Sequence, residues 1–198
     1  TDKICLFTDV GTMHTVKVMD LPYGKLRDKG TPVDNVSNYN SALENIVCVT
    51  SQSDLNLYRL VFVTQTSMMK IVDGGEFDVA KRTVAATKLN DGDSVVNVVS
   101  LKEQRNIVLQ TTDGYFLRFP VEDIPEKKKA AIGVRAIKLN AKHTVEDVFY
   151  TRNAVESTIE YKGKTVELCK LIPAMAGLMS VTGFEGYDAE ALGTLVQG

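Results

Sequence analysis

The chain has 198 residues, of which 44% are hydrophobic and 24% charged, so its composition is that of a folded globular protein and excludes disorder along the whole chain. No window approaches the ~18 uninterrupted apolar residues that indicate a membrane span, and the N-terminus shows no signal-peptide pattern. The 23 Lys and Arg against 25 Asp and Glu give a formal net charge of −2, which taken alone argues against a nucleic-acid binder.

The sequence repeats itself with a period of about 50 residues, which is typical of propellers and solenoids. Segment 84–90 (VAATKLN) matches segment 134–140 (VRAIKLN), and segments 8–22 and 111–125 share Thr, Gly, Asp and Pro at equal spacing. The chain is therefore predicted to be one domain over 1–198. Its four repeats span about 1–56, 57–104, 105–155 and 156–198, the last of them atypical.

Each repeat begins with two short β-branched and aromatic segments joined by a turn. The clearest pair is 106–111 and 115–119, separated by Thr112-Asp113-Gly114, because an Asp-Gly turn between such segments is a strong hairpin signal. Weaker copies of the hairpin lie at 64–67 and 161–164. The sequence thus predicts an all-β protein.

A polar, basic connector follows each of the first three hairpins, and a second pair of strands closes the unit. In the second repeat we expect this closing pair at 84–89 and 94–101, joined by a turn at 90–93. Few stretches have helical periodicity, and 188–196 predicts a short C-terminal helix. About four strands per unit favour propeller-like blades packed around a centre.

No catalytic constellation or phosphate-binding loop is found in the sequence. His14 and His143 are isolated, and each is expected to be a surface or half-buried imidazole. The three cysteines are widely spaced and include no CxxC pair, which indicates small buried thiols in a reducing cytoplasm. We expect no catalytic residue, no metal and no cofactor.

Basic residues recur at equivalent points of the repeats. The first-rank candidates for binding a phosphate backbone are Lys25, Arg27, Lys29, Lys81, Arg82, Lys127, Lys128, Lys129 and Arg135, in or just after the connectors. A second series after the hairpin turn comprises Lys17, Lys70, Arg118 and Lys164. These cations are expected to line one rim, with the carboxylates largely elsewhere, and such a rim could bind a phosphate backbone without reading sequence. Exposed connectors are commonly charged, so the residues alone also allow a solvated surface.

Several motifs resemble one protein family. Segments 7–18 (FTDVGTMHTVKV), 117–124 (LRFPVEDI) and 132–139 (IGVRAIKL) are similar to the hairpin, Arg-Phe-Pro and Gly-Val-Arg-x-Ile-Lys-Leu signatures of the C-terminal domain of bacterial type IIA topoisomerase A subunits. Gyrase and topoisomerase IV both contain it, and the choice between them stays open. The resemblance implies a β-pinwheel of about four four-stranded blades that exchange strands.

The resemblance also implies a function. Double-stranded DNA would be bent around the basic rim by the residues given above and presented to a separate catalytic core. The parent would be a cytoplasmic, ATP-dependent type II topoisomerase, and the partners of this domain would be the B subunit, together with the rest of the A subunit. Segment 171–177 has no basic connector, which sets the fourth unit apart. The alternative is a propeller-like protein-interaction module that does not bind DNA.

Overall fold

The computed structural model describes residues 2–140, 142–152 and 157–171, together with the backbone of two short strands near the C-terminus. Short antiparallel strands dominate these ranges, which confirms the predicted all-β class. The helices described are α1 (Val33–Val36) and α2 (Gln52–Leu55), each only four residues long. Single 3-10 turns follow the hairpins at Val18–Asp20, Gly74–Phe77, Val121–Asp123 and Leu168–Lys170.

Sixteen strands are described. In the first half of the chain they are β1 (Lys3–Thr8), β2 (Thr12–Lys17), β3 (Ile46–Ser51), β4 (Arg59–Thr64), β5 (Met68–Asp73), β6 (Thr83–Ala85) and β7 (Val95–Leu101). In the second half they are β8 (Asn106–Thr111), β9 (Tyr115–Pro120), β10 (Val134–Arg135), β11 (Ile137–Lys138), β12 (Val145–Thr151), β13 (Thr158–Tyr161), β14 (Lys164–Glu167), β15 (Tyr187–Asp188) and β16 (Thr194–Leu195).

Three of the described sheets share one strand order, and we call them blades. Blade 1 is β3-β1-β2-β6, blade 2 is β7-β4-β5-β10 and blade 3 is β12-β8-β9-β16. The hairpin β13-β14 forms blade 4 in the described part of the chain. Strand β7 packs against both β3 and β12, so these three strands are the inner ones and β6, β10 and β16 form the outer edges. Because each outer strand comes from the following repeat, the blades exchange strands as the family resemblance implies.

This exchange corrects two expectations. The strands predicted to pair within the second repeat separate: β6 joins β2 of blade 1, whereas β7 joins β4 of blade 2. The predicted C-terminal helix is wrong at Thr194–Leu195, where β16 pairs with β9 of blade 3. Both departures have one cause, since the second strand of each hairpin presents an open row of backbone N–H and C=O groups that a further strand must cover.

The hairpin turns hold the crossing segments in place. Gly11, Ser67 and Gly114 occupy the same position of their turns and all have positive φ, of +78°, +65° and +91°. The carbonyl of Gly11 accepts the N–H of Ala86 at 2.8 Å, and that of Ser67 accepts the N–H of Ala136 at the same distance. The equivalent bonds show that consecutive repeats cross between blades in the same way.

Three apolar clusters lie between consecutive blades. Phe7 from blade 1 packs edge-on against Phe62 and Phe77 of the second repeat, with ring centroids 5.8 Å and 5.2 Å apart. A larger cluster joins blades 2 and 3, and a smaller one joins blade 3 to the hairpin of blade 4. Apolar surface is thus buried between each blade and the next, and this burial is the main source of stability.

Gly133 precedes the exchanged strand β10, at a point where the chain lies very close to strand β5. Its φ is +106°, and a Cβ atom at this position would lie 2.4 Å from the carbonyl oxygen of Met69. We expect Gly133→Ala to lower the free energy of unfolding by about 2–4 kcal/mol, because both the strain and the clash must be relieved. Urea unfolding measures the change.

Gly24→Ala is the matched control, because a Cβ at Gly24 lies no closer than 3.5 Å to any atom and the residue is exposed. The control is expected to change stability by less than about 0.5 kcal/mol. Equal effects of the two substitutions would contradict the close approach of Gly133 to β5.

Candidate nucleic-acid interface

Most of the predicted phosphate-binding side chains are on the surface. The exposed ones are Lys17, Lys25, Arg27, Lys29, Lys81, Arg82, Lys127, Lys128, Arg135 and Lys164. Lys129 and Arg118 are partly buried, and Lys70 is completely buried. The three exceptions have structural partners, described below.

The outer edge of blade 1 carries Lys81 and Arg82. Both residues precede β6, and the N–H of Thr15 in β2 donates to the carbonyl of Arg82 at 2.8 Å. The side chain of Arg82 reaches Asp20, with 3.3 Å between Nη2 and Oδ2. That of Lys81 forms no ion pair or hydrogen bond within the described ranges, so its ammonium is available to an external anion.

The outer edge of blade 2 carries the connector of the third repeat. Ile71 in β5 donates its N–H to the carbonyl of Pro125 at 3.0 Å and accepts the N–H of Lys127 at 2.8 Å. Arg135 follows on the same edge, where it pairs with Met68. Ile71 and Thr15 hold the same position in their strands, four residues after the turn residue. The two connectors therefore dock on equivalent edges of successive blades.

The first connector differs from the other two. All of residues 21–32 are exposed, and no strand is found there in the described chain. Lys25, Arg27 and Lys29 thus extend into solvent, and their side chains have no bonded partner among the described residues. The structure brings Lys81 and Arg82, and the residues from Lys127 to Arg135, onto blade edges but does not place this triplet on one.

Lys70 is wrongly predicted as a phosphate contact. Its side chain is 0% exposed, and its ammonium donates to the carbonyls of Lys128, Lys129 and Ala131 at 3.2, 2.7 and 2.6 Å. The ammonium also lies 5.5 Å from the ring centroid of Phe62. Lys70 therefore anchors the connector from beneath and is not free to contact DNA.

Arg118 is likewise engaged within the protein. Its Nη1 donates to the carbonyls of Cys169 and Leu171 at 2.7 and 3.2 Å, so it binds the turn after the blade 4 hairpin. The surface or half-buried position expected for His14 is also wrong, because that residue is only 4% exposed. Its ring contacts the carboxylate of Glu44 at 2.8 Å and the hydroxyl of Thr83, at the start of β6, at 3.1 Å.

A buried or partly buried basic side chain thus anchors the following repeat in each of the first three blades. Counting from the turn residue, His14 follows Gly11 by three positions and Lys70 follows Ser67 by three, so these two are equivalent. The sequence signal for this equivalence is the spacing of three residues from the turn residue. Lys17 and Arg118 do not have this spacing, so the series Lys17, Lys70 and Arg118 does not join equivalent positions.

At least two carboxylates, those of Asp20 and Glu76, lie beside connector cations and not away from them. Glu76 lies in the 3-10 turn that follows the hairpin of blade 2, and its Oε1 is 3.2 Å from the Nζ of Lys128. The backbone N–H of Lys129 donates to Oε2 of the same carboxylate at 3.0 Å, and its Nζ donates to the Glu76 carbonyl at 2.7 Å. These donors, the Lys129 N–H above all, hold the pKa of Glu76 below its usual value.

Comparison with known proteins gives the family. Residues 58–102 and 105–152 match the model of the DNA gyrase C-terminal domain, a beta-propeller. The A subunit of DNA gyrase from Lawsonia intracellularis is 30% identical over 69% of this chain, and that from Rickettsia prowazekii 28% over 70%. This chain belongs to the family of C-terminal domains of type IIA topoisomerase A subunits. It spans only a sixth of the relatives' length, 17% and 16% respectively.

Solved structures show the same fold at low identity. The C-terminal domain of a DNA topoisomerase IV matches with a TM-score of 0.81 and 21% identity, over 98% of this chain and 58% of that one. The E. coli ParC C-terminal domain matches with a TM-score of 0.73 and 18% identity, over 100% and 78%. These likenesses establish the architecture of the topoisomerase domain.

No described helix is long and apolar enough to cross a membrane. Within the described ranges, no group of three or more His, Cys, Asp or Glu side chains is arranged to hold a metal ion.

The anchor Lys70 makes stability depend on pH. Burial lowers the pKa of its ammonium to about 8, from 10.5, although the charge of Glu76 opposes the shift. Between these pH values the folded protein has lost a proton that the unfolded chain still holds, so the free energy of unfolding rises with pH. From pH 8 to pH 10 we expect it to rise by about 2 kcal/mol more in the unchanged protein than in Lys70→Met. Urea titrations at both pH values measure the difference, and identical pH profiles would contradict it.

Proposed function

We propose that this domain binds double-stranded DNA along the outer edges of blades 1 and 2, with little preference for sequence. The observation that carries this proposal is the repeated docking of a basic connector on the second strand of a blade, through Thr15 and Ile71. Exposed cations thus lie along the same outer edge of two consecutive blades. Membership of the topoisomerase family supports the same ligand.

The chemistry of these edges suits phosphates and not bases. Lys81, Lys127, Lys128 and Arg135 expose flexible charged groups on an outer edge, and phosphate contacts of this kind position DNA without reading its sequence. Affinity should then fall steeply with salt, because each neutralised phosphate releases counterions. We propose that DNA bends as it follows the outer edges from blade 1 to blade 2, and that the domain thereby presents a DNA segment to a catalytic core.

The larger assignment is part of the proposal. The parent is an ATP-dependent type II DNA topoisomerase of the cytoplasm, either gyrase or topoisomerase IV, and this domain supplies no catalytic group or cofactor. Its partners are the B subunit, together with the rest of the A subunit. The relatives from DNA gyrase, which are several times longer than this chain, support this assignment.

Removing the two exposed lysines of the blade 2 connector tests the interface. Lys127→Ala with Lys128→Ala is expected to weaken binding to a short linear duplex roughly ten-fold at low salt, and to reduce the salt slope by about one to two. Lys129 is left unchanged, because its ammonium donates to the Glu76 carbonyl. Fluorescence anisotropy at several salt concentrations measures both quantities.

The matched control is Lys88→Ala with Lys142→Ala, which removes the same charge from exposed positions outside the connectors. The control is expected to weaken binding by less than about three-fold, through long-range electrostatics alone. Equal losses in the two double variants would remove the connector from the interface.

Energy transfer between dyes on the ends of the duplex reports bending, and unchanged transfer on binding would contradict the bending role.

One observation favours the alternative, a protein-interaction module. Apolar side chains are exposed around the first connector, where Met19, Tyr23 and Leu26 are 71%, 99% and 104% exposed. Exposed apolar side chains are typical of a protein contact where they form a contiguous patch. Duplex binding that shows no salt dependence, or no binding at micromolar protein, would favour this alternative over the DNA interface.

A further inference from the structure

The carboxylate of Glu76 holds two donors of the blade 2 connector. Its Oε1 lies 3.2 Å from the ammonium of Lys128, and its Oε2 accepts the backbone N–H of Lys129 at 3.0 Å. The Lys128 side chain is 86% exposed and that of Glu76 only 20%. One carboxylate thus occupies a small anion site whose ammonium faces solvent.

The ion pair of this arrangement has a counterpart in blade 1. Asp20 stands nine residues after the turn residue Gly11, and Glu76 stands nine after Ser67, so the two carboxylates are equivalent. Each reaches a cation of the next repeat's connector: Asp20 contacts Arg82 with 3.3 Å between Oδ2 and Nη2, and Glu76 contacts Lys128. A carboxylate at this position therefore accompanies the docking of the connector in both blades.

The two groups that bind the Glu76 carboxylate, the Lys128 ammonium and the Lys129 N–H, could equally donate hydrogen bonds to a phosphate oxygen. An ammonium and a backbone N–H that point at one oxyanion bind carboxylate and phosphate alike. Beneath them the Lys70 ammonium fixes the carbonyls of Lys128, Lys129 and Ala131, so the backbone of the connector stays in place when the carboxylate withdraws. The site is consequently preformed for an incoming phosphate.

Resting on the proposed DNA function, we propose that Glu76, and Asp20 at the equivalent position, are built-in competitors that occupy the place of DNA phosphates in the free protein. A phosphate that binds Lys128 must displace the carboxylate of Glu76, so the connector gains less from DNA than its charge suggests. The two carboxylates lower the affinity for DNA and reduce the number of phosphates that the rim neutralises.

Glu76→Gln tests the proposal with a gain of function. The amide removes the charge, yet its oxygen still accepts the N–H of Lys129, so the connector stays docked. We expect affinity for a linear duplex to rise roughly two- to five-fold and the salt slope to steepen by about one. Lys128→Ala should cost more affinity in the Glu76→Gln background than in the unchanged protein, because only there is the ammonium unpaired.

Glu122→Gln is the matched control. Glu122 is exposed close to the same connector, and within the described ranges its carboxylate forms no ion pair or hydrogen bond, so the substitution removes the same charge without freeing a cation. A smaller gain and an unchanged salt slope are expected. Equal gains in the two variants, or the same Lys128→Ala cost in both backgrounds, would overturn the competitor role. Asp20→Asn repeats the test in blade 1 should Glu76→Gln melt below the assay temperature.

The outcomes separate this proposal from the proposed function. Salt-sensitive binding by the unchanged protein with no distinction between Glu76→Gln and Glu122→Gln overturns the competitor role alone. Absence of salt-sensitive binding in all of these proteins overturns the DNA function and the competitor role together.

Discussion

The open edge of each hairpin's second strand is the constraint on which the rest of the structure depends. Strands β2, β5 and β9 each present unpaired backbone groups, and each is covered by a strand from the following repeat. The chain must therefore travel outward over the edge of one blade before it returns to the centre of the next. That detour brings the polar connector to the outer edge, so the position of the candidate interface is a consequence of how the sheets are completed.

The detour also explains why some cations are buried. The segment that crosses the edge brings carbonyl groups such as those of Lys128 and Lys129 over the side chains of the second strand, and a buried carbonyl needs a donor. Lys70 supplies three hydrogen bonds at one such crossing, and His14 bonds Thr83 at the equivalent one. Basic residues in this fold thus divide into those that hold the connector and those that the connector presents to solvent.

The sequence predicted the β class, the repeated hairpins and the exposure of most connector cations, because strand periodicity and turn chemistry are local signals. It could not place β6 and β16 in the blade before their own repeat, since a strand of two or three residues does not encode its partner. The equivalence of His14 and Lys70 is visible only when the repeats are aligned on the turn residues Gly11 and Ser67, because the overall offset of the repeats does not bring the two residues together. The fourth repeat also supplies the outer strand of the preceding blade, because β16 pairs with β9, although the fourth repeat has no basic motif that would predict this pairing.

Net charge is a poor guide to whether this fold can bind phosphates, because cations and carboxylates are neighbours along the outer edges. The formal charge of −2 sums cations and carboxylates that lie side by side, as Arg82 does with Asp20 and Lys128 with Glu76. An ion pair on an exposed edge contributes only about 0–1 kcal/mol, so a polyanion with many phosphates can displace the carboxylate partners at small cost. The same pairing keeps the free rim from acting as a strongly basic surface. A near-neutral chain can therefore present a phosphate-binding edge, provided that the fold places each carboxylate where DNA can replace it.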